Sequence, residues 1–176
     1  MKNVLHHACT RSRTRRRSLP LVAMLALGSL GIGANTATAA APALPFLAAV
    51  AGTVSDAGPG PTGLPTFSLA GSGVASYLGR ISYTGTVVVT SIDSNGVIRD
   101  TLTETLTAAN GDSLTILCQQ VATPIAPGSR VLHGVDQWTV IGGTGHFRNA
   151  TGSGTGDTYV QNFQSFQKSS AGRITK

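Results

Sequence analysis

From Phe67 onward, polar and apolar positions alternate with a period of two, and Thr, Val, Ser and Gly dominate the composition. Alternation of this kind puts every second side chain on one face of an extended chain, which predicts half-buried strands. The pattern places strands near residues 66–78, 80–93, 97–108, 113–121, 134–141 and 154–166. Ser94-Asn95-Gly96 and Asn110-Gly111-Asp112 read as hairpin turns, because Asn and Gly accept the left-handed backbone that such turns need. No stretch carries a helical period. A long antiparallel meander must hide its two edges, and closure into a barrel removes them. The expected fold class is therefore all-β, with one closed antiparallel barrel over 66–176.

Ahead of the alternating region lie two segments of different character. Residues 40–65 are rich in Ala, Pro and Gly, with Pro42, Pro45, Pro59, Pro61 and Pro65 spaced so as to break a long element. That composition predicts an arm or linker, within which 44–54 is apolar enough to pack. Residues 1–39 combine a basic start, an apolar run over 19–32 and the small-residue site Ala37-Thr38-Ala39, the layout of a signal peptide removed near Ala39 or Ala40. The run is too short to span a bilayer, so no stable membrane insertion is expected after cleavage. Thr14-Arg15-Arg16-Arg17-Ser18-Leu19 fits either a twin-arginine signal or an Arg-rich general one. The expected location is secreted or extracytoplasmic, in a bacterium.

Charge changes the picture only once its position is considered. The chain of 176 residues has a formal charge of +6, but Lys2, Arg11, Arg13, Arg15, Arg16 and Arg17 all precede the first acid, Asp56, leaving seven basic against seven acidic residues. A neutral body has no electrostatic footprint for a phosphate backbone, and no nucleic-acid partner is expected. Cys9 leaves with the signal, and Cys118 has no second cysteine to pair with. Flanked by Ile116 and Leu117, Cys118 reads as a small buried apolar group.

The densest local signal is the run 142–152, GGTGHFRNATG, whose glycines permit a sharp corner while Phe147 and Ala150 anchor it to a core. It resembles the GGTG-x-F-x-x-A-x-G signature of plant dirigent proteins and of bacterial proteins with an allene-oxide-cyclase-like barrel. Ala75-Ser76-Tyr77-Leu78-Gly79-Arg80 and Ala108-Ala109-Asn110-Gly111-Asp112 resemble segments of the bacterial branch, so that the likeness covers about residues 67–175. The resemblance implies an eight-stranded antiparallel barrel with a largely apolar cavity. In allene oxide cyclases and spirotetronate cyclases such a cavity folds a reactive precursor for ring closure, and in dirigent proteins it orients radicals. It also implies catalysis by confinement, which needs neither nucleophile nor cofactor. Relatives often self-associate, so a homo-oligomer is among the expectations, although no sequence pattern marks an interface.

Parity along the strands selects candidate site residues. In 97–107 the even positions are Ile98, Asp100, Leu102, Glu104 and Leu106, so both acids share a face with large apolar side chains. On a cavity-lining face Glu104 would be desolvated and suited to acid–base work; at a barrel rim, Asp100 and Glu104 would instead pair with Arg80, Arg99 or Arg130. Tyr77 is the second catalytic candidate, placed on one face with Phe67, Leu69 and Ala75. Tyr83, Leu102, Cys118 and Trp138 are the candidate substrate contacts, the aromatics offering a ring to pack and a polar tip to orient a guest. Trp138 shares its face with Asp136 and Val140.

Several signals are set aside. Gly58-Pro59-Gly60-Pro61-Thr62-Gly63 matches G-x-G-x-x-G formally, but two prolines and the missing strand–helix context exclude a dinucleotide turn. His133 and His146 lack metal-ligand spacing, and no metal or cofactor is expected. His146 and Arg148, flanking Phe147, should face solvent or a rim ion pair. The expectation is a cavity for a small apolar molecule, used either by a cofactor-free isomerase or cyclase acting on a polyketide-like or lipid-like intermediate, or by a non-catalytic carrier or envelope-interaction protein.

Overall fold

The computed structural model describes residues 42–176, and the expected signal segment and Cys9 lie outside the described residues. Eight strands form one closed antiparallel barrel in simple sequential order: β1 (Leu44–Pro59), β2 (Pro65–Ala75), β3 (Gly79–Ile92), β4 (Ile98–Ala108), β5 (Ser113–Pro124), β6 (Val131–Gly143), β7 (Thr151–Gln161) and β8 (Ser165–Thr175). Each strand pairs with its neighbour in sequence, and β1 closes the cylinder against β8 with Leu44 opposite Ile174. The only helical element among the described residues is a 3₁₀ turn, Gly145–Phe147.

Two expectations about the strands need correction. Residues 44–59 are not an arm but the first and longest strand, paired on both sides. Its alternation was hidden because its inward positions include Ala48 and Gly52 as well as Phe46 and Val50. Where β1 and β2 approach closely, a Cβ on Gly52 would collide with the Ala70 carbonyl, so only glycine fits. Pro45 and Pro59 are tolerated near the two ends of the strand. The expected strand 154–166 is in fact the end of β7, a turn and the start of β8. Asn162 and Phe163 adopt φ of 53° and 55° there, left-handed values that ordinary turn chemistry assigns to glycine.

An eight-stranded barrel has an interior that side chains nearly fill. Here the two ends differ. At the end carrying the β2–β3, β4–β5 and β6–β7 connections, Leu78, Leu106, Leu114, Phe147 and Ile174 are buried as a solid apolar plug. The glycine corner makes this plug possible. Gly145 has φ +56° in the space beside the Asp112 carboxylate, where a Cβ would overlap it, and the turn then drives Phe147 inward to 2% exposure. Above the plug, Trp138 lies across Gly154 and Gly172, meets Phe46 edge-on at 5.6 Å and donates its indole N–H to the Thr155 carbonyl at 3.0 Å. The polar tip of the indole is thereby satisfied while its rings fill the interior.

Candidate functional site

Between the plug and the opposite end, strand parity brings five titratable side chains inward: Tyr83 from β3, Glu104 from β4, Cys118 from β5, Asp136 from β6 and Lys168 from β8. The Tyr83 hydroxyl donates to Glu104 Oε2 at 2.7 Å. Lys168 Nζ donates to the same oxygen at 3.0 Å and to Cys118 Sγ at 3.3 Å. It lies 3.1 Å from Asp136 Oδ2, close enough for an ion pair but not aligned as a hydrogen bond, since neither Asp136 oxygen has a hydrogen-bonding partner. The ammonium thus makes two hydrogen bonds, to Glu104 and Cys118, and meets Asp136 through charge alone.

The electrostatics of this belt follow from its burial. Desolvation raises the Tyr83 pKa well above that of an ordinary phenol, with Glu104 adding to it; the group is a hydrogen-bond donor at any physiological pH. The Cys118 thiol is pushed up by burial and then by Glu104, so it stays protonated. Burial alone would lower the Lys168 pKa, but Glu104, Cys118 and Asp136 together outweigh it and hold the ammonium charged. Asp136 is raised by desolvation, with Lys168 pulling the other way.

Beyond the belt lies a cavity of about 50 Å³. Tyr83, Asp100, Gln120, Thr158 and Lys168 are its polar lining residues, and Val87, Leu102 and Phe166 are among its apolar ones. Phe67 and Phe163 also line it; their rings stack at 5.9 Å beside the β7–β8 turn. Two polar atoms on the walls are buried without partners: Asp100 Oδ1 and Thr158 Oγ1. Desolvation raises the Asp100 pKa to about 7, with Lys168 lowering it and Asp136 raising it. Among the described residues no group of three His, Cys, Asp or Glu side chains is arranged to hold a metal ion.

The residues singled out from parity are distributed as follows. Glu104, Tyr83, Leu102, Cys118 and Trp138 all point into the barrel. Glu104 and Cys118 belong to the belt behind the cavity, Tyr83 and Leu102 line the cavity itself, and Trp138 packs in the interior with Phe46. Tyr77 does not join them. β2 ends at Ala75, the Leu78 amide returns to the Ala75 carbonyl, and Tyr77 has φ 66° in that turn. Its ring is therefore exposed, with Lys176 Nζ 4.4 Å above it. The cation facing Glu104 is Lys168, not Arg80, Arg99 or Arg130. His146 pairs with Asp112 at the rim, and His133 stacks on Tyr159 and reaches Asp157 on the exterior.

Lys168 is the residue that sequence reasoning missed. Its signal is the run Phe166, Lys168, Ser170, Gly172, Ile174, whose shared parity becomes visible only once β8 is recognised as a strand of its own. Thr158 was hidden likewise, lying between the inward Gly156 and Val160 of β7. No family model, curated protein or solved structure matches the chain.

Proposed function

We propose that the barrel takes a small, largely apolar molecule into the cavity beside Phe67 and Phe163 and acts on it as a cofactor-free isomerase or cyclase, with Tyr83 turning its one hydroxyl proton from Glu104 to the guest and Lys168 then holding the Glu104 carboxylate. The observation that carries this reading is the meeting of an apolar cavity with a buried Tyr83–Glu104–Lys168 chain, of which Tyr83 and Lys168 line it. Such a site aligns a reactive molecule and stabilises a developing oxyanion without a nucleophile. The resemblance of the 142–152 corner to allene oxide cyclases, dirigent proteins and their bacterial relatives supports the same reading; the export signal expected over residues 1–39 supports a location outside the cytoplasm and weighs towards a carrier.

Pockets that enclose a drug-sized ligand span about 300–1,000 Å³, so a guest larger than a few heavy atoms requires the Phe67–Phe163 pair to part. A stacked aromatic pair is worth roughly 0.5–1.5 kcal/mol beyond its burial, which makes that opening inexpensive. The narrowness of the cavity, together with a belt whose members are engaged with one another, favours a second reading: a non-catalytic carrier on the same scaffold.

Two experiments separate the readings. Saturation-transfer NMR with 1-hexanol should show contact with the wild-type barrel and none with Val87→Phe, which narrows the cavity; no contact with either protein removes both readings. The methyl ester of an unsaturated fatty-acid allene oxide, which ring-closes unaided to a racemate, should then cyclise to predominantly one enantiomer with the wild type and to a racemate with Tyr83→Phe. Racemic product from both proteins, with 1-hexanol still bound, leaves the carrier.

A further inference from the structure

We infer that the cavity is built for a guest carrying a protonated amine, seated with its ammonium between Asp100 and Thr158 and its apolar chain running out past Phe67 and Phe163. The inference rests on the cavity being a ligand site and adds the chemical class of the ligand.

Asp100, Glu104 and Asp136 are all buried, and Lys168 is the one buried cation among the described residues. Its ammonium makes its direct contacts with Glu104, Asp136 and Cys118 and acts on Asp100 only as a more distant charge, so Asp100 has no ion-pair partner of its own. A buried carboxylate without a counter-charge is costly, and proteins normally pair or neutralise such a group.

Asp100 is 6% exposed and Thr158 is 4% exposed, yet Asp100 Oδ1 and Thr158 Oγ1 both lack hydrogen-bond partners, and both residues line the cavity. Native interiors rarely leave such groups unmet, and two lining one cavity from β4 and β7 are a recognition feature awaiting a polar guest. An ammonium supplies what is missing: donors for both oxygens and a positive charge for the carboxylate. An alcohol can meet the hydrogen bonds but not the charge, and a carboxylate guest would add a fourth negative group.

The charged groups that act on Asp100 are Lys168 on β8 and Asp136 on β6, and Tyr83 on β3 lines the same cavity. The elements β1, β2 and β7 contribute to the cavity only the uncharged Val54, Phe67, Leu69, Thr158 and Val160. Seating an ammonium ionises the fraction of Asp100 that is protonated near neutral pH, so uptake releases protons.

Isothermal titration of the barrel with n-hexylammonium, 1-hexanol and hexanoate tests this. The ammonium should bind roughly 10- to 100-fold more tightly than 1-hexanol, the range expected for one charge-assisted hydrogen bond in a dry site. Hexanoate should bind worst. Asp100→Asn should erase the preference while leaving 1-hexanol affinity nearly unchanged, with thermal unfolding confirming that the variant folds. Should that variant not fold, wild-type titration at pH 6.5 in two buffers of different ionisation enthalpy gives the same information: proton release with the ammonium and none with the alcohol is expected, and equal values overturn the inference. Binding of 1-hexanol as tight as the ammonium overturns the amine and leaves the cavity as a ligand site, whereas binding of none of the three overturns both.

Discussion

Replacing Lys168 with methionine preserves much of the side chain's length and removes the charge around which the interior is arranged. In the wild type the ammonium sits 3.0 Å from Glu104 Oε2 and 3.1 Å from Asp136 Oδ2, with both of its partners nearly inaccessible to solvent. Deleting one partner of a buried pair typically costs about 3–5 kcal/mol, because the remaining charge is left uncompensated. Against a domain stability of roughly 5–15 kcal/mol, that is a large fraction of the whole. For a domain of this size it corresponds to a fall in melting temperature on the order of 10–20 °C.

The pH dependence of that loss has a definite sign. Lys168 pulls down the pKa values of Asp100 and Asp136, both of which burial has already raised. Without it they rise further. A carboxyl raised in the folded state stabilises fully below its unfolded pKa and loses that contribution as pH climbs through its folded value. The deficit of Lys168→Met relative to wild type should therefore be smallest near pH 4.5 and widest above pH 7, as followed by thermal unfolding in circular dichroism. Adding Glu104→Gln to the variant should recover part of the loss. A deficit below about 1 kcal/mol at pH 7.5, or an equal deficit at both pH values, would refute the picture of Lys168 as the counter-charge of the interior.

Two further outcomes can be measured directly. Gly172→Ala places a methyl into the Trp138 ring and the Ser153 carbonyl, and should cost about 1–3 kcal/mol in urea unfolding and change the near-ultraviolet signal of the tryptophan; an unchanged midpoint would contradict the packing of Trp138 across β7 and β8. Cys118, fully buried and protonated, should resist an aromatic disulfide reagent in the folded barrel and react at once in concentrated guanidinium chloride, so rapid labelling of folded protein would place the thiol elsewhere.

The parts of this architecture that were legible before the structure are those whose cause is local. Alternation grouped Glu104 with Leu102 and Leu106 and Trp138 with Asp136 and Val140, faces that the barrel turns inward, while Cys118 was expected to be buried from its neighbours Ile116 and Leu117. The turns at Asn95-Gly96 and Asn110-Gly111 were legible because Gly96 and Gly111 hold φ of 78° and 88° there. What stayed hidden depends on partners distant in sequence. Strand β1 looks like a linker because Ala48 and Gly52, the latter held to glycine by the backbone of β2, interrupt its inward apolar positions, and the β7–β8 turn is disguised because Asn162 and Phe163 take a conformation that Gly normally signals. Tyr77 failed for a similar reason, as parity cannot be carried through a left-handed residue. The partnership of Lys168 with Glu104 spans 64 positions, and nothing local to either residue announces it.

Seven of the eight strand pairings join neighbours along the chain, and the eighth, between β1 and β8, joins its two extremes. The hairpins can zip one after another into a curling open sheet, yet Lys168 reaches Glu104 only when the last strand docks. That seam has the largest sequence separation of any pairing in the fold, hence the largest loop-closure cost, and it is also the contact that leaves the sheet without an open edge.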